Sequence, residues 1–493
     1  MSPPLLADAP ASPGSPGDLQ VRYLELEEGL RGELAVPSAP PRGWRRLRKI
    51  VESFLRPISK ERLEVNGRRW RGLPEHLRTD SQTLGRSHHS CGATHGVLER
   101  CNFACTSCYL SREANAAGAL QAEEVRHQLD QLRAFLGPQG KAQLTAGEVT
   151  LLPRSVLGSY IRYAISIGLD PMVMSHGERF LADPTYLRDL VKEDGLRKIS
   201  IHIDSTQRGR RSWYRGISEE SLHSLRAEYA GLIRRTRKET RARLHAAHTV
   251  TVNGGNAHEV PSIVRWVARN ADAFRMVSFQ PVAQVGRTRD AANPDLTMES
   301  LWSSICDGLG ASLNPRAMLF GHPECNIVAP VMVATCGDVL AVTETARKDR
   351  RWDSSFLRRL LEGIGGFSAT GPDRLQSLAG IAGLIPRNLP LLLEAPFYAL
   401  YRLWGLRREI LLLLRSLLQG KRLRIRPLAI VIHKFMDPGE LHTALGRERL
   451  AACVFNVPVE GEMIPMCQLN ATDLRARLVR ERVASARGAR RTS

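Results

Sequence analysis

The chain has 493 residues, 43% of them hydrophobic, which is enough for two or three domains and a sizeable core. Its 9 cysteines are few and unevenly spread, which excludes a secreted disulfide scaffold and points to a reducing cytoplasm. The formal net charge of +20 calls for an anionic partner (nucleic acid, an anionic membrane face or a phosphorylated substrate), unless it reflects an arginine-rich genome.

Residues 1–20 are rich in Pro, Ser, Ala and Gly, show no signal-peptide pattern and are expected to be disordered. Residues 21–93 read as a basic lead-in, where Val51, Phe54 and Leu55 line one helical face and Arg68 and Arg69 precede Trp70. From 94 to 300 the pattern becomes regular. A short strand at 96–99 enters a loop holding Cys101, Cys105 and Cys108 in C-x3-C-x2-C spacing. The periodicity then predicts a helix over 121–136, a strand over 142–145, a helix over 153–167 and a strand over 171–175. It continues with a helix over 184–193, a strand over 198–203, a helix over 218–240, a strand over 244–252, a helix over 258–270 and a strand over 276–282. Six strands alternating with helices imply an α/β fold with a parallel sheet, a partial (β/α)6 TIM-like barrel followed by a C-terminal α+β extension. In such barrels the chemistry sits at the C-terminal ends of the strands.

Residues 301–354 leave the barrel and place Cys325 and Cys336 on either side of an apolar stretch. With Cys453 and Cys467 these are candidate ligands for an auxiliary iron–sulfur cluster, free buried cysteines being the alternative. Cys306 reads as core, and Cys91, near His88 and His89, is ambiguous. Residues 355–427 read as an apolar and basic helical insertion. The apolar run over 378–406 is broken by Arg387, Glu394, Arg402 and three prolines, so no clean run reaches the length of a membrane span. Arg407, Arg408, Arg415 and the basic stretch from Lys421 suit an element lying on an anionic membrane surface, with a buried insertion as the alternative. Residues 428–475 form a last module. Residues 476–493 form a basic tail, read as a helix that frays into disorder and suits an anionic surface.

Three thiolates on one tight loop can hold three irons of a cubane cluster and leave the fourth open, because thiolate is the soft ligand such clusters select. A closed zinc site wants a fourth ligand nearby, and none follows. The loop, with Arg-Cys-Asn ahead of the first cysteine pair and Cys-Tyr behind the last, resembles that of the radical S-adenosylmethionine enzymes. The resemblance implies a [4Fe–4S] cluster whose open iron binds S-adenosylmethionine, and an external electron donor. One electron then splits the sulfonium to a 5′-deoxyadenosyl radical. Ser107 stands where the family usually has an aromatic residue, and Tyr109 could cover the cluster instead. Thr145-Ala146-Gly147-Glu148-Val149 resembles the family's Gly-Gly-Glu-Pro element and implies Glu148 as acceptor of the cofactor ammonium. Ser175 opens a Ser-His-Gly similar to the family's Thr-Asn-Gly and implies a ribose or carboxylate contact. His202 and Asp204 share a face with Ser200 by alternation and are candidates for cofactor contact or for an internal network. His248 reads as such a contact or as a satisfied core histidine. Gln280 is a candidate adenine or substrate contact, and Arg287 a candidate anion contact.

Phe279-Gln280-Pro281-Val282, His322-Pro323-Glu324-Cys325 and Ile464-Pro465-Met466-Cys467 resemble the tetraether-lipid synthase-like branch of that family. That branch implies a lipid substrate, although its cysteine-rich metal knuckle is missing here and residues 355–420 look inserted. A radical acting on a peptide or RNA is the alternative within the family. Nucleic acid is not expected as a partner, because no aromatic-and-basic recognition motif is present. The rival from another class is a zinc-holding, nucleic-acid-binding adaptor. The expected location is the cytoplasm, peripheral on the inner membrane face if the insertion meets lipid.

Overall fold

The computed structural model describes residues 33–35, 43–87, 90–211, 213–365, 367 and 374–492. The disorder expected of residues 1–20 and the pair His88 and His89 lie outside them. Helices α1 (Trp44–Leu55) and α2 (Lys60–Arg71) come first. The core then runs β1 (Cys91–Ala93), α3 (Ala122–Leu136), β2 (Lys141–Leu144), α4 (Arg154–Ser166), β3 (Asp170–Ser175), α5 (Glu178–Ala182) and α6 (Pro184–Lys192). It continues with β4 (Lys198–His202), α7 (His223–Thr240), β5 (His245–Val252), α8 (Val260–Arg269) and β6 (Phe274–Pro281). These strands pair in sequence order, all parallel, and make the curled half-barrel of a partial (β/α)6 barrel.

The helices start where their sequence signals stand. In α6 the Asp183 carboxylate accepts from the Thr185 N–H at 3.1 Å and Pro184 fills the first turn. Tyr186, Leu187, Leu190 and Val191 then bury one face, each worth about 1.5–3 kcal/mol of burial. Strand β5 is buried on both faces from Ala246 to Val252, as a central parallel strand must be between helices and lumen. Two predicted limits shift. The first strand lies at Cys91–Ala93 because its partners are β2 and a strand from the far C-terminus. The long helix starts at His223, five residues late, because Glu219 is drawn into a buried network with Ser205, Asn256 and Arg226.

Beyond residue 297 the chain returns to the same sheet. Helix α9 (Met298–Leu309) precedes the hairpin β7 (Asn326–Cys336) and β8 (Val339–Glu344). Helices α10 (Arg351–Ile364), α11 (Arg374–Leu384), α12 (Leu389–Gly405) and α13 (Arg407–Leu418) make up the insertion. Strand β9 (Leu423–His433) runs parallel to β6 and antiparallel to β7. Helix α14 (Ala444–Ala451), β10 (Phe455–Val459), β11 (Glu462–Pro465), α15 (Met466–Asn470) and α16 (Leu474–Thr492) close the chain. Among the described residues one 11-stranded sheet results, in the order β11-β10-β1-β2-β3-β4-β5-β6-β9-β7-β8. Its curl brings β9 back toward β10: the His433 and Phe435 rings lie 5.9 and 6.5 Å from that of Phe455.

The tail, read as a basic helix, is helical in α16, and Arg475 is buried against Glu99, with Nη1 at 3.3 Å from a carboxylate oxygen. Arg482 bonds the Gly96 carbonyl and His95. These arginines hold the segment entering the cysteine loop and do not face an external surface.

Candidate functional site

The loop from Arg100 to Tyr109 lies across the strand ends. The Glu148 N–H, just past β2, donates to the Arg100 carbonyl at 2.8 Å. Ala104 and Thr106 donate to the carbonyls of Arg208 and Thr206, past β4, at 2.8 and 2.9 Å. Arg287 and Arg289, past β6, donate to the carbonyls of Cys108 and Thr106 at 2.9 and 2.7 Å. Two close approaches require glycine. At Gly147 (φ 55°) a Cβ would meet the Leu98 oxygen at 2.3 Å, and at Gly286 (φ 60°) it would meet the Tyr109 backbone at 2.4 Å.

Side chains add further anchors. The Asp290 carboxylate accepts from the Thr106 hydroxyl at 2.8 Å, from the Ser107 hydroxyl and from Asn253 Nδ2 at 2.9 Å. The Cys108 N–H donates to Thr288 Oγ1 at 3.1 Å. Phe103 stacks on His176 at 3.8 Å with the Arg210 guanidinium 5.2 Å from its ring centre. The His176 Nε2 pairs with Asn102 Oδ1 at 2.8 Å while its Nδ1 accepts from the Glu178 N–H, which fixes a neutral tautomer. Burial and the nearby Arg210 accordingly push His176 well below the usual imidazole range.

The three thiols are neighbours. Burial pushes Cys101 up to about 12, helped by Glu148 and Cys108. Burial also raises Cys105 well above a free thiol, helped by Cys108 and Cys101. Arg287 opposes this, its Nε donating to Cys108 Sγ at 3.3 Å. Tyr109 packs beside Cys101 and Cys108, and its hydroxyl pairs with Thr145 at 3.1 Å. Among the described residues no three His, Cys, Asp or Glu side chains already converge as a metal chelate. The donor set nevertheless suits an iron–sulfur cluster over a hard cation: three soft, buried, adjacent thiols with a guanidinium beside them to offset thiolate charge.

Glu148 is buried beside this loop. It accepts from Ser175 Oγ at 2.7 Å, from the His176 N–H at 2.8 Å and from the Thr150 N–H at 3.1 Å. Burial pushes its carboxyl up, and the Thr150, His176 and Ser175 hydrogen bonds oppose that. Strands β4 and β5 present a polar ladder inside the barrel. Ser200 pairs with Thr249 at 2.8 Å, and His202 with Thr251 at 3.1 Å and with Asp204 at 3.0 Å. Asp204 also accepts from Thr206 and from the Thr251 N–H, so it joins two strand ends. Burial would raise its carboxyl, but His202 and the hydrogen bonds hold it below the usual range. His248 points the other way, accepting from Arg226 Nε at 2.9 Å, and is a satisfied core histidine. Gln280 is half-buried at the end of β6, in register with Thr251.

The four outlying cysteines divide three to one. Cys325 and Cys467 flank Arg449, whose Nε lies 3.2 Å from Cys325 Sγ, Cys453 neighbours those two thiols, and burial raises all three. Cys336 does not join them: it ends the 11-residue β7, roughly 30 Å of strand from Cys325, and bonds the Lys421 carbonyl. Sequence reading also missed Asp290, Thr288, Asn253 and Arg210. No local signal marks them, because Asp290, Thr288 and Arg210 act on a loop more than a hundred residues away and Asn253 acts through Asp290.

No model of a known family matches the chain. It is 29% identical over 198 residues to 7,8-dihydro-6-hydroxymethylpterin dimethyltransferase of Methanocaldococcus jannaschii, covering 39% of this chain and 36% of that protein. It is 29% identical over 204 residues to GTP 3',8-cyclase 1 of Pseudomonas aeruginosa, covering 39% of this chain and 55% of the relative. The matches thus span about a third and about half of these relatives. Among solved structures, Streptococcus suis SuiB aligns at 14% identity over 46% of this chain and 49% of that one, with a TM-score of 0.33. The curled α/β half-barrel carries a three-cysteine loop across its strand ends, and over part of its length the chain is similar to these two enzymes, the pattern of the radical S-adenosylmethionine superfamily.

Proposed function

We propose that the chain cleaves S-adenosylmethionine reductively and abstracts hydrogen from an unactivated C–H bond, with a lipid as substrate. The observation that carries the reading is the adjacency of Cys101, Cys105 and Cys108 to one another at the strand ends, with Glu148 beside Cys101. The three thiols would hold a [4Fe–4S] cluster. When bound, the cluster supplies the electron that splits the sulfonium of S-adenosylmethionine, and an external donor replaces that electron. Glu148 accepts the ammonium protons of the cofactor from an orientation set by Thr150, Ser175 and His176. His202, seated on Asp204, and Gln280 contact its remaining polar groups from β4 and β6. Arg287 offsets thiolate charge. Cys325, Cys453 and Cys467 are the candidate ligands of an auxiliary cluster. The exposed apolar helices of the insertion support the lipid substrate.

The test is an anaerobic incubation of the full chain with dithionite and S-adenosylmethionine, read by mass spectrometry for 5′-deoxyadenosine. Cys105→Ala should lose iron and product together. Glu148→Gln should keep its iron but bind S-adenosylmethionine at least ~30-fold more weakly, the scale for truncating one partner of a charged hydrogen bond. A colourless zinc protein that forms no 5′-deoxyadenosine overturns the reading in favour of a metal-holding adaptor. Repeating the incubation with a total lipid extract then tests the substrate class.

A further inference from the structure

We infer that α1, α11, α12 and α13 form one platform that lies on an anionic membrane, with its apolar side in the acyl boundary and its basic rim among the headgroups. The inference stands on these helices alone and does not depend on the reaction.

In α12, Leu389, Leu393, Phe397, Leu400 and Trp404 recur at helical spacing and are all exposed, Trp404 at 74%. In α1, Trp44, Leu47 and Val51 do the same, with Trp44 at 84%. In α13 it is Leu411, Leu414 and Leu418, with Leu418 at 88%. Such stripes ordinarily face a core; here three helices turn them outward, and α11 exposes Leu375, Leu378 and Ile381 as well. The helices are joined. Arg387 Nη2, between α11 and α12, donates to the Leu55 carbonyl of α1 at 2.7 Å, and Gly383 of α11 lies so close to α1 that a Cβ would meet the Phe54 oxygen. A contiguous exposed apolar surface of this kind marks an interaction site.

The polar groups decide how the platform sits. By length and composition Leu375–Gly405 could cross a bilayer. Its polar residues, however, face the protein. Glu394 accepts from Arg359 Nη2 at 2.7 Å, Tyr398 donates to Asp353 at 2.8 Å, and Arg402 reaches the Glu344 carbonyl at 2.5 Å. One side of α12 is therefore fixed to the body and the other is bare, which is the geometry of a helix lying in an interface. The rim selects the partner. Between residues 374 and 427 the acids are Glu394 and Glu409 alone, and Glu394 is paired inward. Arg407, Arg408, Arg415, Lys421, Arg422 and Arg424 are all exposed around the apolar face. Leucine, tryptophan and arginine in this arrangement match the acyl boundary and anionic headgroups of a bilayer.

Flotation of the purified full chain tests this, using vesicles of equal parts phosphatidylglycerol and phosphatidylcholine, and of phosphatidylcholine alone. Wild type should float with the anionic vesicles. The exposed-face variant Leu393→Glu/Phe397→Glu/Trp404→Glu should lower the partition coefficient at least ~100-fold. Arg422→Glu/Arg424→Glu should lower it at least ~tenfold and flatten its salt dependence. Unchanged circular dichroism certifies the folds. Wild type that ignores both vesicles, or an exposed-face variant that floats as well as wild type, overturns the inference. A lipid-indifferent dimer that this variant splits in the ultracentrifuge assigns the face to a second copy. Membrane retention in cells after alkaline carbonate washing would make α11–α12 a span. Each of those outcomes also overturns the interfacial reading, and none depends on cluster content or on cleavage of S-adenosylmethionine.

Discussion

Replacing Asp290 with alanine should loosen the loop that carries the three cysteines and leave the fold standing. Its Oδ2 receives the Thr106 and Ser107 hydroxyls and the Asn253 amide. Hydrogen bonds to charged groups contribute about 1.5–3 kcal/mol each, and these are partly exposed, so about 1 kcal/mol each is the working figure. Two of the three act directly on the loop, so about 2 kcal/mol of anchoring is lost, or roughly 30-fold in the loop's ordering equilibrium. The backbone bonds from Arg287 and Arg289 to the loop survive, so global unfolding should move little. The assay is the rate at which a chelator strips iron from the anaerobically reconstituted protein. We expect about 30-fold faster loss for Asp290→Ala, about fivefold for Ser107→Ala, and an intermediate rate for Asp290→Asn, whose amide keeps one acceptor oxygen. A stripping rate equal to wild type in Asp290→Ala refutes the reasoning. So does a melting temperature that falls as far as a core truncation would take it, since the effect would then not be local.

Three further outcomes follow from particular contacts. Cys325→Ala should reduce iron per chain relative to wild type, whereas Cys336→Ser should match wild type; equal losses would contradict the separation of Cys336 from the other three thiols. Arg475→Met strands the buried Glu99 carboxylate with only Arg482 near it, 3.9 Å away, and should cost about 3–5 kcal/mol by urea unfolding. Adding Glu99→Gln should recover most of that loss, and a double variant as unstable as the single one counts against a charge effect. Burial and neighbouring arginines hold His95 at about 3 and His433 at about 4, both below the 6.5 of free imidazole. Folded pKa values are thus lowered, so the unfolded chain takes up protons first. Stability is complete above pH 6.5 and falls from there toward pH 4, by at most about 3 kcal/mol per pH unit for two groups. Urea midpoints between pH 7.5 and 5 that do not decline as pH falls would be inconsistent with neutral buried histidines.

The strands β2 to β6 and their helices are legible in the sequence because their signals are local. Ile-Ser-Ile-His-Ile alternates, and helical spacing returns between the strands. What escapes is set by distance along the chain. Asp290 is 183 positions from Ser107, and Arg475 is 376 from Glu99, so neither pairing leaves a trace near either partner. The position of β1 is decided by β10, whose Phe455 pairs with Cys91. The departure at Ser107 is readable only with the fold in hand. A hydroxyl stands there because the segment after β6 brings a carboxylate to it.

The same long-range pairing separates the platform from the chemistry. The cysteine loop is held by segments after β2, β4 and β6, at the C-terminal ends of the strands. The insertion hangs from the other flank, between β8 and β9. Its helix α12 is tied to Glu344 at the end of β8, and the first residues of β9 run past the start of β6, where the first pair is Met276 with Ala429. No residue that anchors the loop belongs to α11, α12 or α13. Docking would therefore fix the chain at a surface without altering the cysteine loop.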